Sequence, residues 1–215
     1  MDKLESYGWI FILIAMAGDL VVSFILSFFY GEYNCLKMSI SALGNPSSPV
    51  RSTFNIWMLI EGILFLIALP AVNKEFRPVS GGITNVLLVF IAFFAVGACI
   101  FTCFFSVNET KDVVTTASKI HGVGSVVGFM LFLFVPLLVG ILHFKGQNRM
   151  MGSVSMVCFI LAMVFFTLFV MSDKEEFKNT AIAYEGLWQR LNLAFMYLPV
   201  VITAVGKISN LKGLN

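Results

Sequence analysis

Two carboxylic acids stand where the neighbouring residues leave them little water. Asp19 lies near the middle of the apolar run 9–29, and Glu61 lies eight residues into the run 53–72. At 1.5 Å of helical rise per residue, Glu61 is expected roughly 12 Å below the start of its helix, inside hydrocarbon. An ionised carboxylate costs on the order of 3 kcal/mol at such depth on insertion scales, so it should face the interior of a helix bundle. Intramembrane acids relay protons, bind cations or act as acid catalysts. The structural alternative is an acid that has taken up a proton or is tied to Arg190 or His121.

His121 opens a later apolar run over the small residues Gly124, Ser125 and Gly128. Its imidazole suits a base, a ligand to a phosphate oxygen, or a cap in contact with interfacial water. Gly186-Leu187-Trp188-Gln189-Arg190 opens the last run, and Glu185, Gln189 and Asn192 fall at i, i+4 and i+7, a polar stripe entering the membrane. Arg190 either snorkels to the interface or, with Gln189 and His121, holds a phosphate or carboxylate. The candidate ligand-binding set is therefore Asn55, Glu61, His121, Gln189 and Arg190, with Asp19, Ser41, Glu185 and Asn192 in support.

Several chemistries find no support. His143 is about 33 Å from His121 by helical rise, so the two cannot flank a haem. Cys99, Cys103 and Ser106 share one face, but two cysteines at that spacing are a weak zinc signal and read better as buried thiols. No lysine lies within an apolar run, which removes a retinal Schiff base, and no P-loop, G-x-S-x-G or H-E-x-x-H occurs. No cofactor and no metal is expected. The net charge of +2 is small and its basic residues scattered, which argues against nucleic acid.

These residues must be positioned by helices in a bilayer. Hydrophobic residues make up 59% of the chain and charged ones 12%, with 23 Phe and a mean hydropathy of +0.92. Six runs reach the length of about 20 residues needed to span, approximately 9–29, 53–72, 83–107, 121–143, 153–171 and 187–205. They predict an all-α, six-helix transmembrane bundle forming a single domain over residues 1–215. The first run is interrupted by Asp19 and leads to no small-residue cleavage site, so it is expected to remain in the mature protein.

Between the first two runs, Gly44, Asn45, Pro46, Ser47, Ser48 and Pro49 form an ordered turn rather than a linker. Ser52 or Thr53 is the expected cap of the second helix and Pro70 its expected end. Gly124 and Gly128 form a G-x-x-x-G that admits a close helix neighbour, whereas the fifth run is almost featureless packing or lipid-facing material.

Six spans put both termini on one side, and Lys plus Arg then tie at seven on each side. Shorter, more densely charged loops on the terminal side point to cytoplasmic termini in the cell membrane. The polar candidates fall on the opposite side, within one leaflet.

The turn Ser41-Ala42-Leu43-Gly44, the helix start from Phe54 to Gly62 with Asn55, the histidine opening the fourth run, and Gly186 to Arg190 opening the sixth together resemble the domain-of-unknown-function family numbered 998. That resemblance covers nearly the whole chain and implies a prokaryotic six-helix membrane protein without an established activity. It adds weight to Ser41, Gly44, Asn55, Gly62, His121, Gln189 and Arg190 as a shared site or packing core. Family members often carry a proline and an acid after the third run; this chain reads FFSVNETKD there and lacks the proline, so no role is carried over to that loop.

Three functions compete at this stage. The first is binding or movement of a lipid-like or small polar ligand in a polar cavity near one leaflet. The second is a structural or regulatory subunit, with membrane lipids, a second copy or another subunit as its partners. The third is an intramembrane enzyme acting on a lipid or ester, with Glu61 or His121 as acid or base. The chain offers no confirmed nucleophile for the third, and the overall expectation leans away from an enzyme.

Overall fold

The computed structural model describes residues 2–105 and 115–212. Ser106 and most of the loop after the third run, including Lys111, lie outside the described residues. Six helices carry the described chain: α1 (Asp2–Ser27), α2 (Arg51–Phe76), α3 (Gly81–Phe104), α4 (116–145), α5 (Arg149–Met171) and α6 (Glu185–Lys212). All six are long and apolar enough to cross a membrane, and no strand occurs among the described residues. Helices satisfy their own backbone groups where no water can, which is why a chain this apolar folds this way. The protein is an all-α, multi-pass membrane protein.

Each helix packs against its neighbours in the chain, and α6 returns to α1, closing the ring. At the centre, Phe65 (α2), Phe94 (α3), Phe132 (α4) and Tyr197 (α6) pack ring against ring. Their centroid separations run from 4.4 Å for Phe94–Phe132 to 6.3 Å for Phe65–Tyr197. Such edge-on and tilted pairs add specific contacts to a large buried area. They form a solid layer across the middle of the bundle.

Several boundaries differ from the sequence expectation. α2 continues through Pro70 to Phe76, a further turn and a half. Proline removes one N–H from the ladder and does not stop a helix that neighbours hold in a membrane. α2 also begins at Arg51, with Val50 in the cap position, so Ser52 and Thr53 lie inside the first turn and neither caps it. The Ser48 hydroxyl instead accepts the Val50 N–H at 3.3 Å. Glu61 is thus ten residues into its helix, about 15 Å by rise. In α4 the helix breaks at Leu133 and Phe134, just before Pro136, whose missing N–H would have bonded Phe132.

One feature of α3 has no counterpart in the apolar pattern. Phe94–Ile100 winds as a π-helix. The small residues Ala95, Gly97 and Ala98 lie within it, and glycines press on it from two sides: Gly62 of α2, and Gly124 and Gly128 of α4. A Cβ on Gly62 would lie 2.7 Å from the Ala95 carbonyl oxygen, and one on Gly128 would lie 3.0 Å from that of Phe93. The G-x-x-x-G pair of α4 therefore meets the widened stretch of α3 at backbone distance. π-Helical insertions of this kind accompany functional sites.

Candidate functional site

The half of the bundle nearer the α1–α2, α3–α4 and α5–α6 connections contains a cavity of about 530 Å³. Asp19, Ser41, Glu61, His121 and Gln189, five of the residues singled out from the sequence, line it. Each helix contributes. α1 supplies Asp19, α2 Phe54, Met58 and Glu61, α3 Phe94, Ala98 and Thr102, α4 His121 and Ser125, α5 Phe166 and Phe169, and α6 Gln189 and Leu193. The π-helical stretch supplies two of the wall residues, Phe94 and Ala98.

At the deep end stand the two acids. Glu61 is 0% exposed, and neither carboxyl oxygen has a hydrogen-bond partner. Its polar neighbours are Trp57 Nε1, itself buried without a partner, the Cys99 thiol, and Asp19. Asp19 is buried as well and accepts a hydrogen bond from the Tyr197 hydroxyl at 2.6 Å. Tyr197 belongs to the central aromatic layer, so that layer forms the floor on which the acid pair rests. An unpartnered buried carboxyl is costly, so groups in that state are rare and concentrate where a function requires them.

Polar groups nearer the mouth are better satisfied. The Thr102 hydroxyl donates to the Ala98 carbonyl at 2.6 Å, and Ser125 donates to the His121 carbonyl at 2.6 Å. Both hydroxyls are turned onto their own helices, leaving methyl and methylene groups to the cavity wall. The His121 imidazole lies beside the Phe105 carbonyl, and its buried Nδ1 has no hydrogen-bond partner.

Gln189 divides its surface between the cavity and the turn that covers it. Its Oε1 accepts the Ile40 N–H at 2.6 Å, where a 3-10 turn spans Ile40–Gly44. This bond hangs the turn, with Ser41, on the start of α6. Gly44 brings that turn against α2: a Cβ there would lie 3.0 Å from Asn55 Oδ1 and 2.9 Å from the Phe54 ring. Asn55 does not line the cavity, and its buried Oδ1 has no hydrogen-bond partner.

Arg190 is one residue from Gln189 and does something different. Its Nη1 donates to the Cys35 carbonyl at 2.7 Å and to the Gly186 carbonyl at 3.0 Å, and its Nη2 donates to the Tyr33 hydroxyl at 2.8 Å. Tyr33 in turn donates toward the Ser39 carbonyl at 3.1 Å. Burial pushes the Tyr33 phenol above its ordinary pKa despite the pull of the nearby guanidinium, so the hydroxyl stays protonated as both acceptor and donor. The structure thus places Arg190 as a clamp on residues 33–39, outside the cavity lining. Asn192 also faces elsewhere: its Nδ2 donates to the Ala162 carbonyl of α5 at 2.8 Å. The stripe Glu185, Gln189, Asn192 therefore diverges, and Gln189 alone of the three reaches the cavity.

His143 belongs to a separate pocket of about 410 Å³ beyond the aromatic layer, on the terminal side. There its Nε2 lies 3.1 Å from the Thr203 hydroxyl, and Lys207 pairs with Glu75 at 2.5 Å. The two histidines lie in different pockets. Among the described residues, no group of three or more His, Cys, Asp or Glu is placed to hold a metal ion.

The aromatic wall was not singled out from the sequence. Phe54, Phe94, Phe129, Phe166 and Phe169 face the acids' cavity, but in a chain with 23 Phe nothing local distinguishes these from lipid-facing ones. Tyr197 had one available signal, a tyrosine in the middle of an apolar span, whose hydroxyl must find a partner.

No curated protein and no solved structure matches the chain. The model of one family, described as a protein of unknown function, DUF998, matches residues 13–206. That match takes in all six helices and every residue of the cavity wall, and the chain belongs to this family.

Proposed function

We propose that this protein binds, and by binding moves, a lipid-like molecule with a polar head, received in the cavity near one leaflet. The observation that carries this reading is a fully buried carboxyl, Glu61, without a hydrogen-bond partner at the deep end of an otherwise apolar cavity. A volume of about 530 Å³ suits a small molecule, since such sites run from about 300 to 1,000 Å³ and are mostly apolar with a few placed polar groups. A second pocket lies on the far side of the aromatic layer, which a ligand moving across the bundle has to part.

Native mass spectrometry of the purified protein tests this. Wild-type protein is expected to retain a bound amphiphile, His121→Ala to retain less, and Met58→Trp, which fills the cavity above Glu61, to retain none. Equal retention by all three removes the cavity as the binding site.

The termini are proposed to be cytoplasmic, on the strength of the shorter and more densely charged loops on their side. Fusions of alkaline phosphatase to either terminus should then be inactive while fluorescent-protein fusions glow. Phosphatase activity at either end would reverse the orientation.

A further inference from the structure

The chemistry of the cavity goes further than an unspecified amphiphile. We propose that the head it receives is cationic: the site takes an organic ammonium group, or a lipophilic cation of similar shape, onto the Asp19–Glu61 pair. This rests on the cavity being a binding site and adds the charge of its ligand.

Three independent features of the wall agree on the sign. Two carboxyl groups lie close enough to act on each other electrostatically, and one of them, Glu61, is fully buried with both oxygens unpartnered. No lysine or arginine is among the described residues of the lining. The nearest guanidinium, Arg190, is held by the Cys35 and Gly186 carbonyls and by Tyr33. His121, the one basic side chain of the wall, lies toward the mouth beside the Phe105 carbonyl. A cation arriving at the acids thus meets two carboxyl groups whose neighbours are the Tyr197 hydroxyl, the Trp57 indole N–H and the Cys99 thiol, with the Arg190 charge acting on Asp19 from outside the lining.

The rest of the wall selects the kind of cation. Phe54, Phe94, Phe129, Phe166 and Phe169 line the cavity, and the face of an aromatic ring attracts an alkylated ammonium within about 6 Å. A hard metal ion instead requires about six to eight oxygen ligands, and among the described residues no group of three or more His, Cys, Asp or Glu is placed to hold one. Two carboxyls set in phenylalanine match a quaternary alkylammonium, whose charge is spread over its methyl groups and which has no N–H to satisfy.

The test compares two probes of equal shape. Phenylbutyltrimethylammonium and its uncharged isostere, in which a tert-butyl group replaces the trimethylammonium, are measured by equilibrium dialysis against the full-length protein in dodecylmaltoside, with protein-free micelles as the blank. The cation is expected to bind wild type at least about tenfold more tightly than the isostere. Glu61→Gln should erase that preference while leaving the isostere's affinity unchanged. Asp19→Asn, whose amide oxygen still accepts from Tyr197, should reduce the preference and carries the comparison if Glu61→Gln does not fold.

Lysophosphatidylcholine, which bears the same trimethylammonium group beyond a phosphodiester on a lipid, is the third probe. If it binds and the soluble cation does not, the ammonium is a lipid headgroup; if the soluble cation binds on its own, it is a free organic cation. Equal binding of both isosteric probes to wild type, or an undiminished preference in both variants, overturns the proposal while leaving the cavity a binding site. If none of the three probes binds, the cavity reading itself fails and the cation goes with it.

Discussion

Gly97→Val is expected to abolish the folded protein. A Cβ at Gly97 would run into the Gly124 carbonyl oxygen, and one at Gly124 would stand 2.8 Å from the Phe101 ring and 3.2 Å from the Gly97 oxygen. The obstacle at Gly97 is backbone, in the middle of two spans, so neither helix can yield without withdrawing from the other. Overpacking that side chains can absorb costs about 1–3 kcal/mol, and a branched side chain against a rigid backbone should exceed about 3 kcal/mol. Gly122, on α4 with Gly124, has nothing within 4 Å of its Cβ position. Gly122→Ala should therefore fold normally and gain up to about 1 kcal/mol of helix propensity. Thermal melting followed by size-exclusion chromatography separates the two. A Gly97→Val protein that elutes and melts like wild type would mean that α3 and α4 do not meet at the π-helical stretch.

Arg190→Leu should destabilise the protein by about 2–4 kcal/mol, counting the loss of hydrogen bonds made by a charged group at about 1.5–3 kcal/mol each, discounted because the side chain is only partly buried. The effect is local in origin. Without the guanidinium, the Cys35 carbonyl and the Tyr33 hydroxyl lose their tie to α6, and the segment 33–39 is left hanging on the Leu187 N–H to Leu36 carbonyl bond and on Gln189. Limited proteolysis should then cut between residues 30 and 44 faster than in wild type. Arg190→Lys keeps the charge but not the planar fork that reaches carbonyl and phenol together, so it should recover only part of the loss. If the leucine variant melts and resists protease as wild type does, the clamp contributes nothing and Arg190 is free for another role.

The two substitutions differ in what the chain itself reveals about them. Gly124 and Gly128 announce a close helix contact by their spacing, but the partner, a π-helix containing Gly97, has no marker in the apolar run. Arg190 and Gln189 are adjacent and look like members of one cluster. On a helix, however, neighbouring side chains diverge by about 100°, enough to send Gln189 to the cavity and Ile40, and Arg190 to Cys35 and Tyr33. The same geometry sends Asn192 to the Ala162 carbonyl and away from the cavity, although its spacing from Gln189 suggested a shared stripe.

What the sequence by itself determined is the six membrane helices, the level of Asp19, Glu61, His121 and Gln189 along them, and the separation of His121 from His143. Each depends on a local or one-dimensional quantity: run length against bilayer thickness, and rise per residue along a helix. Helix ends were less well specified, because Pro70 and Pro136 have opposite outcomes: α2 continues as a helix past one proline, while α4 breaks just before the other. Only the tertiary structure decided that Asp19 and Glu61, 42 positions apart, meet above Tyr197, that five of 23 phenylalanines wall their cavity, and that Arg190 is engaged elsewhere. The direction a side chain faces is set by how six helices rotate against one another, and that rotation follows from packing across the bundle, which no single run of residues contains.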